Sequence, residues 1–164
     1  MKCSIPILIN VLVLYHMGNA QVILSGEIRP RAEYRHGYKT FLQPGQVPSA
    51  LIEQRTRLNL SYRKSTAEVY LSFQDIRVWG SQAQLNPTDG LTSFHQAWGK
   101  LNIMPKLSLK FGRQEIAYDD ERILGAVDWA HQARSHDALL LVFEDSVLKI
   151  HTGSTYHQKS AGLI

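Results

Sequence analysis

Cross-linking chemistry is almost absent: of 164 residues one is cysteine, Cys3. No apolar run is long enough for a membrane-spanning helix, because the longest, Ile5 to Tyr15, covers about eleven residues against the ~20 such a helix needs. No H-E-x-x-H, EF-hand or nucleophile-elbow pattern occurs, which removes the motif-based routes to a zinc protease, a calcium loop or a serine hydrolase. Charge of one sign is also scarce. Lys plus Arg total 18 against 14 for Asp plus Glu, a balance of +4 that is too small to argue nucleic-acid binding. With 44% hydrophobic and 20% charged residues, bulk composition points neither to disorder nor to a helical membrane protein.

The first twenty residues read as a secretory signal peptide. Lys2 supplies the positive start, Ile5 to Tyr15 the apolar run, and Gly18, Asn19 and Ala20 the small-residue cleavage site, so Gln21 is expected to begin the exported chain. Cys3 precedes the apolar run and is lost with it. An exported domain of this size with neither disulfide nor metal motif must be held by a good core or by a bilayer.

From Gln21 onward the dominant period is two. Leu24, Gly26, Ile28, Pro30, Ala32 and Tyr34 alternate with Ser25, Glu27, Arg29, Arg31, Glu33 and Arg35 in a first strand. In a second, Thr56, Leu58, Leu60 and Tyr62 alternate with Arg55, Arg57, Asn59, Ser61 and Arg63. A third runs from Ala67 to about Val78, where Asp75 to Arg77 breaks the alternation and marks a bulge or an exit from the apolar zone. Phe94 to Ile103, Leu107 to Gln114, Asp137 to Glu144 and Val147 to Thr152 complete seven expected strands.

The links after strands two, four and six are short (Lys64 to Thr66, Met104 to Lys106, Asp145 to Ser146), and those after one, three and five are long. An antiparallel meander with that rhythm places all tight turns at one end and all long loops at the other, as in outer-membrane barrels. Soluble sandwiches and lipocalin-like barrels alternate too, so the pattern alone leaves open which face meets water. The polar face narrows the choice. It carries Arg29, Arg31, Arg35, Arg55, Arg57 and Arg63 with Glu27 and Glu33 between them. Guanidinium groups about 7 Å apart along a strand repel one another unless carboxylates screen them, and they suit bidentate recognition of carboxylates. Two readings follow: an anion-binding lumen, or internal ion pairs that keep the lumen wet.

The segment Leu109-Lys110-Phe111-Gly112-Arg113-Gln114-Glu115-Ile116-Ala117-Tyr118-Asp119-Asp120-Glu121-Arg122 continues through Leu124-Gly125 and Asp128-Trp129 to Arg134 and Asp137. Together with Phe73-Gln74-Asp75-Ile76-Arg77-Val78-Trp79-Gly80, Arg55-Thr56-Arg57-Leu58 and His95-Gln96-Ala97-Trp98, it resembles the alginate-export family of outer-membrane barrels over about Gln21 to Glu144. The resemblance implies a porin-like barrel of well over a dozen strands with a positively charged lumen that passes an anionic polyuronate. Lumen residues carried over by it are Arg29, Arg31, Arg55, Arg57, Arg77 and Arg113, with Arg122 and Arg134 in a loop. Bacterial barrels close with an even number of strands, and only about seven are countable. The expected fold is therefore an incomplete all-β, antiparallel, up-and-down transmembrane β-barrel. Its expected parts are a signal at 1–20, the N-terminal part of a barrel at 21–152 and an irregular tail at 153–164.

Asp119, Asp120, Glu121, Asp128, His131, His136 and Asp137 could in principle form an acid/base or cation site, but the plainer reading is a solvated loop paired with Arg113, Arg122 and Arg134. Trp79, Trp98 and Trp129 are read first as interface aromatics and second as sugar platforms. The expected function is passive passage of anionic saccharides across the outer membrane, in contact with its lipid, without catalysis, metal or cofactor and without nucleic acid. The alternative is a soluble periplasmic β-sheet module that binds an acidic ligand.

Overall fold

The computed structural model describes residues 21–37, 41, 44–85 and 92–157. The signal peptide read at 1–20 and the end of the tail, 158–164, lie outside the described residues. Seven strands follow one another: β1 (Gln21–Arg35), β2 (Ser49–Arg63), β3 (Ala67–Val78), β4 (Thr92–Met104), β5 (Leu107–Gln114), β6 (His136–Glu144) and β7 (Lys149–Thr155). They form one sheet in chain order, each neighbour antiparallel to the last, and no helix occurs among the described residues. The three tight connections and three long ones alternate as the sequence spacing requires.

Strand limits follow the alternation wherever it is unbroken. β3 and β5 begin and end at the residues expected from the sequence. β2 starts earlier than Arg55, because Leu51 and Ile52 pair with Glu33 and Ala32; the consecutive apolar residues Ala50, Leu51 and Ile52 hide the period there. β7 runs through Thr155, three residues into the stretch expected to be irregular, since backbone pairing with β6 continues although its side chains do not alternate. The irregularity expected at Asp75–Arg77 is an exit from the apolar zone. The bulge lies across from it in β4, where His95 is the extra residue between the pairs Ser72–Gln96 and Phe73–Phe94.

Burial is inverted with respect to a water-soluble sheet. The face with Leu24, Ile28, Leu58, Phe73, Phe94, Leu101, Phe111 and Leu139 is open, with Leu24 66% and Ile28 72% exposed. The buried side chains are mostly polar: Arg55, Ser72, Gln74, His95, Ser108, Gln114 and His131, against Ile116, Ala126, Ala130 and Val142. An apolar face that runs from β1 to β6 far exceeds the patches that soluble monomers leave to water. With so small an apolar core, the sheet's own order rests on its backbone ladder and on polar contacts of the other face.

Gly112 is fixed by that ladder. Its φ is +112°, and a Cβ placed on it would lie 2.3 Å from the Ala97 carbonyl oxygen, so any side chain must break the β4–β5 pairing. Gly112→Ala is expected to cost about 1–3 kcal/mol. The measurement is the midpoint of urea unfolding in detergent, with Gly26→Ala, whose added Cβ meets nothing closer than 3.5 Å, as the comparison; equal midpoints would show that β4 and β5 do not pair this way.

Candidate functional site

Register decides which charged residues share a face. Glu27 stands opposite Arg57, Arg29 opposite Arg55 and Arg31 opposite Glu53, so β1 and β2 together present a checkerboard of guanidinium and carboxylate on the polar face. The third long connection, 115–135, folds back across that face. It leaves β5 with Glu115, whose carboxylate is 2.7 Å from His95 Nε2, passes Ile116 over the sheet, and reaches the β1–β2 checkerboard at Asp128.

At Asp128 one carboxylate meets three guanidinium groups. Arg55 Nη1 donates to Oδ1 at 2.8 Å, Arg29 Nη1 donates to Oδ2 at 3.1 Å, and Arg57 Nη1 lies 3.6 Å from Oδ1. Arg29 Nη2 and Arg31 Nη1 also donate to the backbone carbonyls of Asp128 and Trp129, both at 2.8 Å. Gln74, bound by Arg57 Nε at 2.7 Å, donates in turn to the Gln132 carbonyl at 3.2 Å. The loop is thus fastened at three successive places to side chains of β1, β2 and β3.

The ladder supplies its own screening. Arg55 is 1% exposed and also donates to Glu27 at 2.8 Å. Arg31 bridges Glu33 and Glu53 at 2.6 and 2.8 Å, and Arg35 pairs with Glu33. A guanidinium with so little exposure is held by the carboxylates on its two Nη groups, since an unpaired buried charge is strongly destabilising; its Nε has no hydrogen-bond partner among the described residues. Arg57 Nη2 is buried with no hydrogen-bond partner among the described residues. The hydrogen bond from Arg55 holds the Asp128 carboxyl below the usual carboxylate range, partly opposed by burial and reinforced by the charges of Arg55, Arg29 and Arg57.

Of the eight arginines named from the sequence, Arg29, Arg31, Arg55 and Arg57 are brought together. Arg77 and Arg113 are on the opposite, apolar face: Arg77 pairs in register with Gln54 and binds Asp75 at 2.6 Å, while Arg113 pairs with Ala97 and binds Asp137 at 3.0 Å. Both stand in the same phase as Leu71 and Leu109, so counting by two from those residues would have placed them. Arg122 pairs with Asp120 at 2.6 Å in the exposed part of the loop, and Arg134 is exposed near the loop's end. Asp128, read from sequence only as part of a diffuse acidic group, is the centre of the site. No cluster of three or more metal-type ligands occurs among the described residues. Trp79 lies on the apolar face and donates to Gln54 at 3.0 Å; Trp98 is on the polar face, and Trp129 belongs to the folded-back loop.

A protein-family model described as Alginate export matches residues 20–156, most of the chain. No curated protein and no solved structure matches.

The lowered Asp128 value fixes the sign of a pH effect: its contribution is present above the ordinary aspartate value of about 3.9 and is lost as pH falls through the folded one. At pH 7, Asp128→Asn is expected to speed exchange of the Ala130 and Ala133 amides about tenfold, the loss of roughly one charge-assisted hydrogen bond. In the unsubstituted protein the same acceleration is expected only in acid, below the usual aspartate range. Equal exchange in both proteins at pH 7, followed by hydrogen-exchange mass spectrometry, would show that Asp128 does not hold the loop.

Proposed function

Because this chain belongs to the alginate-export family, whose members are outer-membrane transport proteins and not enzymes, we propose that its sheet is part of a channel wall for an anionic polysaccharide. The apolar face meets lipid, and the Arg29, Arg31, Arg55 and Arg57 face lines the conduit. The carrying observation is the inverted burial: guanidinium groups are covered while Leu24, Ile28 and Leu58 are open. A soluble binding module built from the same strands would turn that apolar face inward, so the structure favours the channel.

The folded-back loop narrows the conduit at the place where positive charge is densest. Asp128 occupies the guanidinium donors that a uronate carboxylate would take, and a passing chain exchanges its own carboxylates for that of Asp128. Uronates are then favoured over neutral sugars because each carboxylate replaces an anion of equal charge, whereas a neutral hydroxyl leaves a guanidinium unpaired. Passage needs no bond making, so the role is selection and conduction. In lipid each free edge of the sheet needs strand partners, because an unpaired backbone group there costs several kcal/mol. β1 and β7 are the two edges that need such partners.

Planar-bilayer conductance of the intact gene product tests the selectivity. Uronate oligomers are expected to block or permeate at least tenfold more effectively than neutral oligomers of equal length, and Arg29→Gln with Arg57→Gln is expected to abolish that preference; no preference in the unsubstituted channel would overturn the reading. Orientation has its own test. Leu58→Arg is expected to cost about 2–4 kcal/mol of folding in lipid vesicles, whereas Asn59→Arg, one residue along and on the polar face, is expected to cost little. The reverse order would turn the sheet inside out.

A further inference from the structure

Before it reaches Asp128, the folded-back connection 115–135 meets the sheet at two other points, and its partner at each is a histidine. Glu115, the first residue past β5, has no lysine or arginine within ion-pair distance among the described residues; its carboxylate is 2.7 Å from Nε2 of His95, the bulge residue of β4. Further along, the Tyr118 hydroxyl lies 2.8 Å from Nδ1 of His151 on β7, with the two rings edge to face. The other ring nitrogen of His151, Nε2, is 3.6 Å from Glu144 of β6. The start of the loop is thus strapped to β4 on one side and to β7 on the other, across β5 and β6.

In both places a carboxylate waits beside the imidazole. His95 is 4% exposed, and in its neutral form Nε2–H donates to Glu115. A second proton, on Nδ1, turns that bond into a charged pair in a site with little water, where attraction is less screened. Arg57 of β2 and Lys110 of β5 share the field of Glu115 and oppose the added charge, but neither is within ion-pair distance of that carboxylate. Neutral His151 accepts from Tyr118 at Nδ1 and turns its Nε2 proton toward Glu144; protonated, it donates at both nitrogens, to the phenol oxygen and to the carboxylate. Burial pushes the Tyr118 phenol up, so the phenol itself stays neutral in both states. The cations competing for Glu144 are Lys100, 3.8 Å away, and Lys149, opposite it in the β6–β7 register, while Glu68 across the same hollow is taken by Arg63 at 2.6 Å.

We propose that His95 and His151 are proton-operated ties: protonated in mild acid, they draw the 115–124 part of the loop down onto the sheet, and they release it as pH rises through the ordinary histidine range of about 6.5. The sign follows from the partners. The protonated form makes the stronger contact at both points, so this stabilisation is present in mild acid and lost toward alkaline pH. The Asp128 clamp behaves oppositely, since its contribution is lost only below the usual aspartate range. The loop's response to protons stands without the channel reading; only its effect on passage, a narrower conduit in mild acid, rests on that reading.

The test is hydrogen exchange of the full chain refolded in detergent micelles at about pH 5.5 and about pH 8, with rates divided by those of an unstructured chain at each pH. The Tyr118 and Glu121 amides report on the ties, because they bond to the Leu124 and Tyr118 carbonyls within this part of the loop. About tenfold more protection is expected in the acid sample, the gain of a charge-assisted bond over a neutral one. His95→Gln plus His151→Gln keeps polar side chains but takes up no proton. Its protection is expected to be equal in the two samples and close to that of the unsubstituted protein in the alkaline one. Asp128→Asn is expected to keep the tenfold difference at these two amides. Equal protection at both pH values in the unsubstituted protein, or a difference that survives in the double histidine variant, would overturn the ties; the first of these outcomes requires no substitution to fold. Exchange is measured without any saccharide, so a channel lacking selectivity sinks the transport reading alone and a flat exchange profile sinks the ties alone.

Discussion

One carboxylate organises the polar face. Asp128 accepts hydrogen bonds from Arg55 and Arg29 and lies within ion-pair range of Arg57, and through it a loop that leaves β5 is drawn over β1 and β2. Without an anion at that point, the guanidinium groups of two neighbouring strands would face each other across one strand spacing in a half-desolvated region, where Coulomb repulsion is much less screened than in water. The chain answers the problem twice, with acids interleaved along the strands and with an acid delivered from a distant segment. The interleaved acids make the ladder foldable; the delivered one ties the loop down over it.

That arrangement joins fold and function more closely than a list of lumen residues does. A pore lined only by free arginines would bind a polyanion tightly and conduct it slowly. In the channel proposed above most of the Nη donors already meet carboxylates, so an incoming carboxylate would exchange with one of its own kind at a small net change in pairing. Under the loop the compensation is close but incomplete, since Arg57 Nη2 has no hydrogen-bond partner among the described residues.

Much of this was legible in the chain. Alternation delimited β3 and β5, the rhythm of short and long links ordered the meander, and the arginine-rich phase of β1 and β2 marked the polar face. Three things were hidden for physical reasons. Ala50 to Ile52 lack contrast, so the start of β2 carries no periodic signal. β7 is held by backbone pairing that its side chains do not announce. The return of 115–135 across the sheet depends on long-range ion pairs between Asp128 and residues about a hundred positions earlier in the chain, such as Arg29, which no local pattern can encode. Arg77 and Arg113 are a different matter: both stand in the phase of Leu71 and Leu109, which puts them on the apolar face.

Those two arginines have a consequence of their own. Arg77 with Asp75, and Arg113 with Asp137, are charged pairs on the outward face at the loop end of their strands, just beyond Phe73 and Phe111. Hydrocarbon excludes them, whereas a hydrated headgroup layer accepts them readily. In the proposed channel they would act as a waterline: the sheet would sink into a bilayer only until this belt reached the headgroups, so that the depth at which the protein floats would be written on its outside.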